Sequence, residues 1–157
     1  MGESAGHNRW HTGSFRQSFL QPVQGQRGSA RYVQSWSALP FHQLALKVLY
    51  PFVEEEIEEE VFRRLLQEAY EPFDAEDVVN LKELQDNSWV LELFHGPTLA
   101  FKDVAMQLLG ALLNHFAKER GEKIVVLGAT SGDTGAAAIS ACSRHQNVEV
   151  YILYPHG

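Results

Sequence analysis

The sequence predicts an α/β fold: a helical N-terminal segment followed by the start of a three-layer domain on a parallel sheet. Three observations predict it. Between residues 41 and 69, apolar residues recur at helical spacing. From Trp89 onward, short apolar runs alternate with longer helical patterns, the texture of β–α–β units. The run Ile124-Val125-Val126-Leu127 is apolar throughout, as strands covered on both faces are.

Residues 1–30 are rich in Gly, Ser, Gln, Arg and His and show no apolar period. Residues 1–35 are therefore expected to form a poorly ordered or divergent arm. A helical region is expected over 36–87. Leu39-Pro40 marks a helix entry, and Phe41, Leu44, Ala45, Val48 and Leu49 keep helical spacing up to Pro51. A second helix is expected from near Phe52, with Ile57, Val61, Leu65 and Ala69 in one stripe and Glu71-Pro72 at its end. Six glutamates between Glu54 and Glu60 surround Ile57; they read as a solvated acidic face near a helix start, where the dipole favours them. Residues 74–87 read as a polar connector with short helical turns.

Residues 88–157 are expected to start an α/β domain. A strand is read at 89–94, a loop at 95–100 and a helix at about 101–117. That helix carries Val104, Leu108 and Leu112 on one face and Ala105, Leu109 and Phe116 on the next, so it is expected to be largely buried. The strand at 124–127 turns through 128–132 into a helix rich in small residues, beginning at Asp133 or Thr134. The strand at 148–153 follows, giving right-handed crossovers. Three strands are few for this class, and the chain is expected to be truncated.

The bulk numbers bound the function. The chain has 157 residues, a net charge of −7, 45% hydrophobic and 21% charged residues. These values suit a globular chain. The acidic balance argues against nucleic acid as a partner. No apolar stretch approaches the ~20 residues that span a bilayer, and the N-terminus lacks the apolar core of a secretory signal. The single cysteine, Cys142, forms no internal disulfide and no cysteine metal cluster; it reads as core packing. A cytoplasmic protein with no membrane partner and no metal is expected, and the sequence leaves its oligomeric state open.

Two loops follow successive strands at their carboxyl ends, where open α/β sheets place ligands. The second, Thr130-Ser131-Gly132-Asp133-Thr134-Gly135, combines hydroxyls, glycines and a helix start, a combination suited to a carboxylate or phosphate. Helix capping by Ser131 or Asp133 is the simpler alternative. The spacing fits neither the Gly-x-x-x-x-Gly-Lys-Ser/Thr nor the Gly-x-Gly-x-x-Gly pattern, which disfavours nucleotides. The first loop ends in Lys102, placed unusually at the start of an apolar helix. Burial and the positive helix end both disfavour its charged form, and a neutral lysine attacks carbonyls. A surface lysine paired with a nearby acid is the alternative.

The stretch Leu91-Glu92-Leu93-Phe94-His95-Gly96-Pro97-Thr98-Leu99-Ala100-Phe101-Lys102-Asp103 resembles the cofactor-lysine motif of the threonine synthase family. Gly128-Ala129-Thr130-Ser131-Gly132-Asp133-Thr134-Gly135 resembles the same family's substrate loop, and 152–157 resembles its next strand and turn. The likeness covers 36–157 and begins to return at Tyr32. The family's usual Ser-Thr-Arg-Gly start is not present, and residues 1–30 show no likeness. The resemblance implies a pyridoxal 5'-phosphate (PLP) enzyme of the tryptophan-synthase-β-like fold. Its reaction is the conversion of O-phosphohomoserine and water to threonine and phosphate. It implies that Lys102 carries PLP as a Schiff base and moves protons at Cα and Cβ of the substrate. It further implies that Thr130, Ser131, Gly132, Asp133 and Thr134 contact the substrate, with Asp133 also against the cofactor. His95, Thr98 and Asp103 are expected to shape the pocket without a chemical step. Most of a family member lies beyond the equivalent of Gly157, so the chain alone is expected to be inactive. A sister PLP phospho-lyase that yields a keto acid, and a non-catalytic α/β remnant, are the alternatives.

Overall fold

The computed structural model describes residues 35–75 and 77–156. The expected N-terminal arm lies, apart from Ser35, outside the described residues. Four α-helices, one 3-10 turn and four strands follow one another along the described chain.

Helix α1, Phe41–Leu49, starts after Pro40 and is continued by the 3-10 turn Tyr50–Phe52, which Pro51 tightens. The second helix, α2, is Glu59–Tyr70, not a helix from Phe52. Glu54–Glu56 lie in the intervening turn, and only Glu59 and Glu60 occupy the first helical turn. Ile57 stands just before the N-cap residue Glu58 and is buried with Phe62 in one cluster, the pattern of a hydrophobic staple. That staple fixes the entry two residues later than the apolar stripe alone suggests. Phe62, Leu65, Leu66 and Ala69 form the buried face.

The connector at 74–87 contains a strand, where short helical turns were expected. Strand β1, Asn80–Gln85, pairs antiparallel with β2, Ser88–Glu92, through a turn at Asp86-Asn87, with Asn87 at φ 59°. Asn tolerates this left-handed conformation better than most residues. The strand expected at 89–94 is therefore one arm of a hairpin. It does not join the parallel sheet.

Helix α3, Asp103–Arg120, ends at Gly121, whose φ of 64° lets the amides of Gly121 and Glu122 fold back onto the carbonyl of Ala117. Strand β3, Ile124–Ala129, pairs in parallel with β4, Val148–Leu153, across helix α4, Asp133–Ser143. The core joins α1 and α2 to α3: Leu46, Phe62, Leu66 and Ala111 are buried together, with Leu108, Leu112 and Phe116 against them. Ala105 and Leu109 are exposed, contrary to the expected all-round burial. The deeply buried face of α3 is instead Asp103, Gln107, Gly110, Ala111 and Ala117.

That face exists because α4 comes close. A Cβ on Gly110 would lie 2.7 Å from the carbonyl oxygen of Ala141. Small residues on both helices let the backbones approach. Gln107 Nε2 donates to Ser140 Oγ at 3.3 Å, and Asn147 Nδ2 to Asn114 Oδ1 at 3.1 Å. Contacts ascend together along both segments, so α3 and α4 run in the same direction. Both pack on the face of the sheet that carries Ile124, Val126, Val148, Val150 and Ile152. The opposite face, with Val125, Leu127, Tyr151 and Leu153, is exposed.

Candidate active site

The topology brings the two motif loops to one end of the sheet. Helix α3 finishes just before β3 begins, and it packs on β3 and β4, so its N-terminus lies toward their carboxyl ends. Helix α4 starts there directly, after Ala129. Lys102 stands eight residues before Gly110, and Asp133 eight residues before Ala141, the pair at which the helices touch. At ~1.5 Å per residue the two helix starts are level.

Lys102 is the N-cap residue of α3 and is half-buried. Its Nζ lies 5.2 Å from the centroid of the Phe101 ring. Among the described residues no carboxylate pairs with it, although Asp103 is its sequence neighbour. Asp103 is fully buried and turned toward Thr98. The Thr98 amide donates to Oδ2 at 2.7 Å, and the Thr98 hydroxyl lies 2.9 Å from both carboxylate oxygens. The surface-ion-pair alternative for Lys102 therefore lacks a partner.

The turn at 130–132 is pinned from below. The Thr130 amide donates to Leu153 O at 3.1 Å, and the Gly132 amide to Thr130 Oγ1 at 3.3 Å. Gly132 is the N-cap residue of α4, and no side chain caps the helix. Capping by Ser131 or Asp133 is thus not their role. Ser131, Asp133 and Thr134 are exposed. A Cβ on Gly132 would meet nothing within 4 Å, whereas one on Gly135 would lie 2.7 Å from Thr130 Cγ2 and 3.0 Å from Ile152 Cγ2. The turn is open above Gly132 and closed below Gly135. An open turn with hydroxyls and first-turn N–H groups suits an anionic group.

A charged cluster that the strand reading of 89–94 does not single out lies beside the first loop. Glu92 is buried and bridges Lys82, at 2.8 Å, and His95 Nε2, at 2.9 Å. Hydrogen bonds from Lys82 and then His95 hold its carboxyl below the usual carboxylate range. The cluster ties the hairpin to the loop that leads to Lys102. The one signal for it was the polar Glu92 within an apolar run. The pockets lined by Gln43, Lys47 and Arg63, or by His42 and Tyr70, include none of the motif residues.

Known proteins resemble this chain in sequence and fold. A family profile described as the threonine synthase N terminus matches residues 20–70. Likeness therefore begins at residue 20, earlier than the sequence motifs suggested. Threonine synthase of Pseudomonas aeruginosa is 53% identical over 124 residues, covering 79% of this chain and 26% of that protein. Threonine synthase of Saccharomyces cerevisiae is 40% identical over 152 residues, covering 88% of this chain and 30% of that protein. Among solved structures, PLP-bound threonine synthase from Brucella melitensis superposes with a TM-score of 0.77 at 45% identity, covering 82% of this chain and 28% of that one. The chain thus spans between a quarter and a third of the length of the curated relatives it matches.

Proposed function

We propose, since this chain is in sequence and fold the N-terminal portion of a threonine synthase, that it contributes the cofactor lysine and the substrate turn of that enzyme. The reaction is the conversion of O-phosphohomoserine and water to threonine and phosphate, in the cytoplasm. The division into an arm at 1–35, a helical region at 36–87 and the start of a cofactor domain at 88–157 belongs to the same reading.

The observation that carries it is the state of Lys102. Its amine has no carboxylate partner among the described residues, and the helix it opens starts level with α4 and its open turn. Both features fit PLP, whose aldehyde needs an available amine and whose substrate brings a carboxylate. When bound, PLP supplies an electron sink for cleavage at the substrate carbons. Lys102 holds the cofactor and, once released, takes and returns protons at Cα and Cβ of the substrate through Nζ. The Ser131 and Thr134 hydroxyls and the first N–H groups of α4 hold the substrate carboxylate. Thr130 keeps the turn in shape through its bond to the Gly132 amide. Gly132 leaves room for the ligand to approach the backbone. Asp133 is exposed at the first turn of α4, and in this reading it contacts the cofactor.

Adding PLP to the purified protein should produce the visible absorbance of a lysine-bound cofactor, and Lys102→Ala should remove most of it. In an enzyme completed to the length of its relatives, turnover of O-phosphohomoserine should release threonine and phosphate in equal amounts. A band of equal size in the Lys102→Ala protein would sink the assignment. Release of 2-oxobutyrate instead of threonine would point to the sister lyase.

A further inference from the structure

We infer that Asp103, acting through Thr98, is the positioning residue that presents the Lys102 amine; the inference rests on the reading of Lys102 given above. A buried carboxylate next to a candidate cofactor lysine invites the idea of a proton partner. The geometry points elsewhere. Asp103 is fully buried at the first position of α3, and its two oxygens receive the Thr98 amide at 2.7 Å and the Thr98 hydroxyl at 2.9 Å. Bonds from a neutral donor to an ionised carboxylate are among the stronger hydrogen bonds. They close the five-residue span between Thr98 and Asp103 into a ring.

The rest of the loop is shaped to that ring. Leu99, between the two partners, takes a left-handed φ of 60°, a conformation that bulky side chains rarely adopt. The Leu99 amide bonds to Gly96 O at 3.0 Å, and the Asp103 amide to Ala100 O at 3.0 Å. Gly96 lies directly against the carboxylate: a Cβ there would stand 2.5 Å from Asp103 Cβ and 2.6 Å from Oδ2. Leu99 and Phe101 are largely exposed, so apolar burial does not hold them in place. The Thr98–Asp103 bonds are what keep the strained turn closed. Lys102 is the last residue inside it and the N-cap of α3, so its Cα direction is set by this closure.

The test uses borohydride reduction after incubation with PLP, which leaves a pyridoxyl group on each lysine that had bound the aldehyde. Peptide mapping then gives the labelling of Lys102 relative to Lys118 and Lys123 in the same sample. The unchanged chain should favour Lys102. Thr98→Val removes the hydroxyl bonds but keeps the amide bond, and Asp103→Ala removes all of them. Each should lower the Lys102 ratio about tenfold, equivalent to ~1.4 kcal/mol. Thr98→Ser and Asp103→Asn, which retain hydrogen bonding across the ring, should restore most of it. Hydrogen exchange at the Thr98 amide should speed up in Asp103→Ala with no cofactor present. If Asp103→Ala fails to fold, Thr98→Val decides alone. Folded variants that keep the unchanged ratio, or that lose labelling equally at all lysines, would overturn the positioning role. No preference for Lys102 in the unchanged chain would instead overturn the reading of Lys102 itself.

Discussion

Lys102 and Asp103 are adjacent in sequence and opposite in role. One amine is left without a carboxylate among the described residues, and one carboxylate is buried and spent on Thr98. The sequence made Lys102 legible, because a lysine at the start of an apolar helix departs from the usual placement. It did not reveal where the Asp103 side chain points, since rotamer and partner depend on the left-handed Leu99, which no local propensity favours. The glycines of the second motif divide in the same way. Both Gly132 and Gly135 read as ligand-loop glycines, but only Gly135 is held by packing. Gly135→Ala should destabilise the fold by about 1–3 kcal/mol, because overpacking against Thr130 and Ile152 exceeds the helix-propensity gain. Gly132→Ala, pointing into open space, should stay within about 0.5 kcal/mol in stability. Urea denaturation midpoints compare the two directly.

At the level of elements, the four helices and the two parallel strands were legible because their periods are strong and their partners are local. Strand β1 was not. Asn80–Gln85 contains Leu, Lys, Glu and Gln, which favour helices, and no β-branched residue. Pairing with β2 across the Asp86-Asn87 turn makes it a strand, a tertiary effect with little trace in its own composition. The wide apolar surface of α3 suggests burial all round, yet Ala105 and Leu109 are exposed. Close approach to α4 instead selected Gly110, Ala111 and Ala117 for the inner face. The ends of α2 and α4 meet at a titratable contact. The His145 side chain is buried after α4, with Nδ1 3.6 Å from Glu68 on α2. Burial lowers its pKa from 6.5, opposed by Glu68 and aided by Arg144. The neutral form is therefore favoured in the fold, while the unfolded chain takes up a proton first as pH falls. This contribution is fully present above 6.5 and is lost as pH falls through the lowered folded value. His145→Gln should flatten the fall in stability across that window. An unchanged slope in pH-dependent denaturation would contradict the assignment.

For the whole molecule, the described residues build one helical layer against a two-stranded parallel sheet and leave the far face bare. Val125, Leu127, Tyr151 and Leu153 are each more than half exposed there. Parallel sheets are otherwise covered on both sides. The all-apolar run at 124–127 announced such cover in the sequence, and the structure shows which half of it these residues supply. The matched threonine synthases extend over more than three times the aligned length. At one end of the sheet α3 and α4 nevertheless start level, and the turn between β3 and α4 is pinned to β4. The central claim is that one amine among five lysines is presented for an aldehyde. Reduction of the PLP-treated protein with borohydride, followed by peptide mass mapping, tests it most directly. The pyridoxyl group should be found on Lys102. Label spread over Lys47, Lys82, Lys118 and Lys123, with Lys102 not favoured, would contradict it.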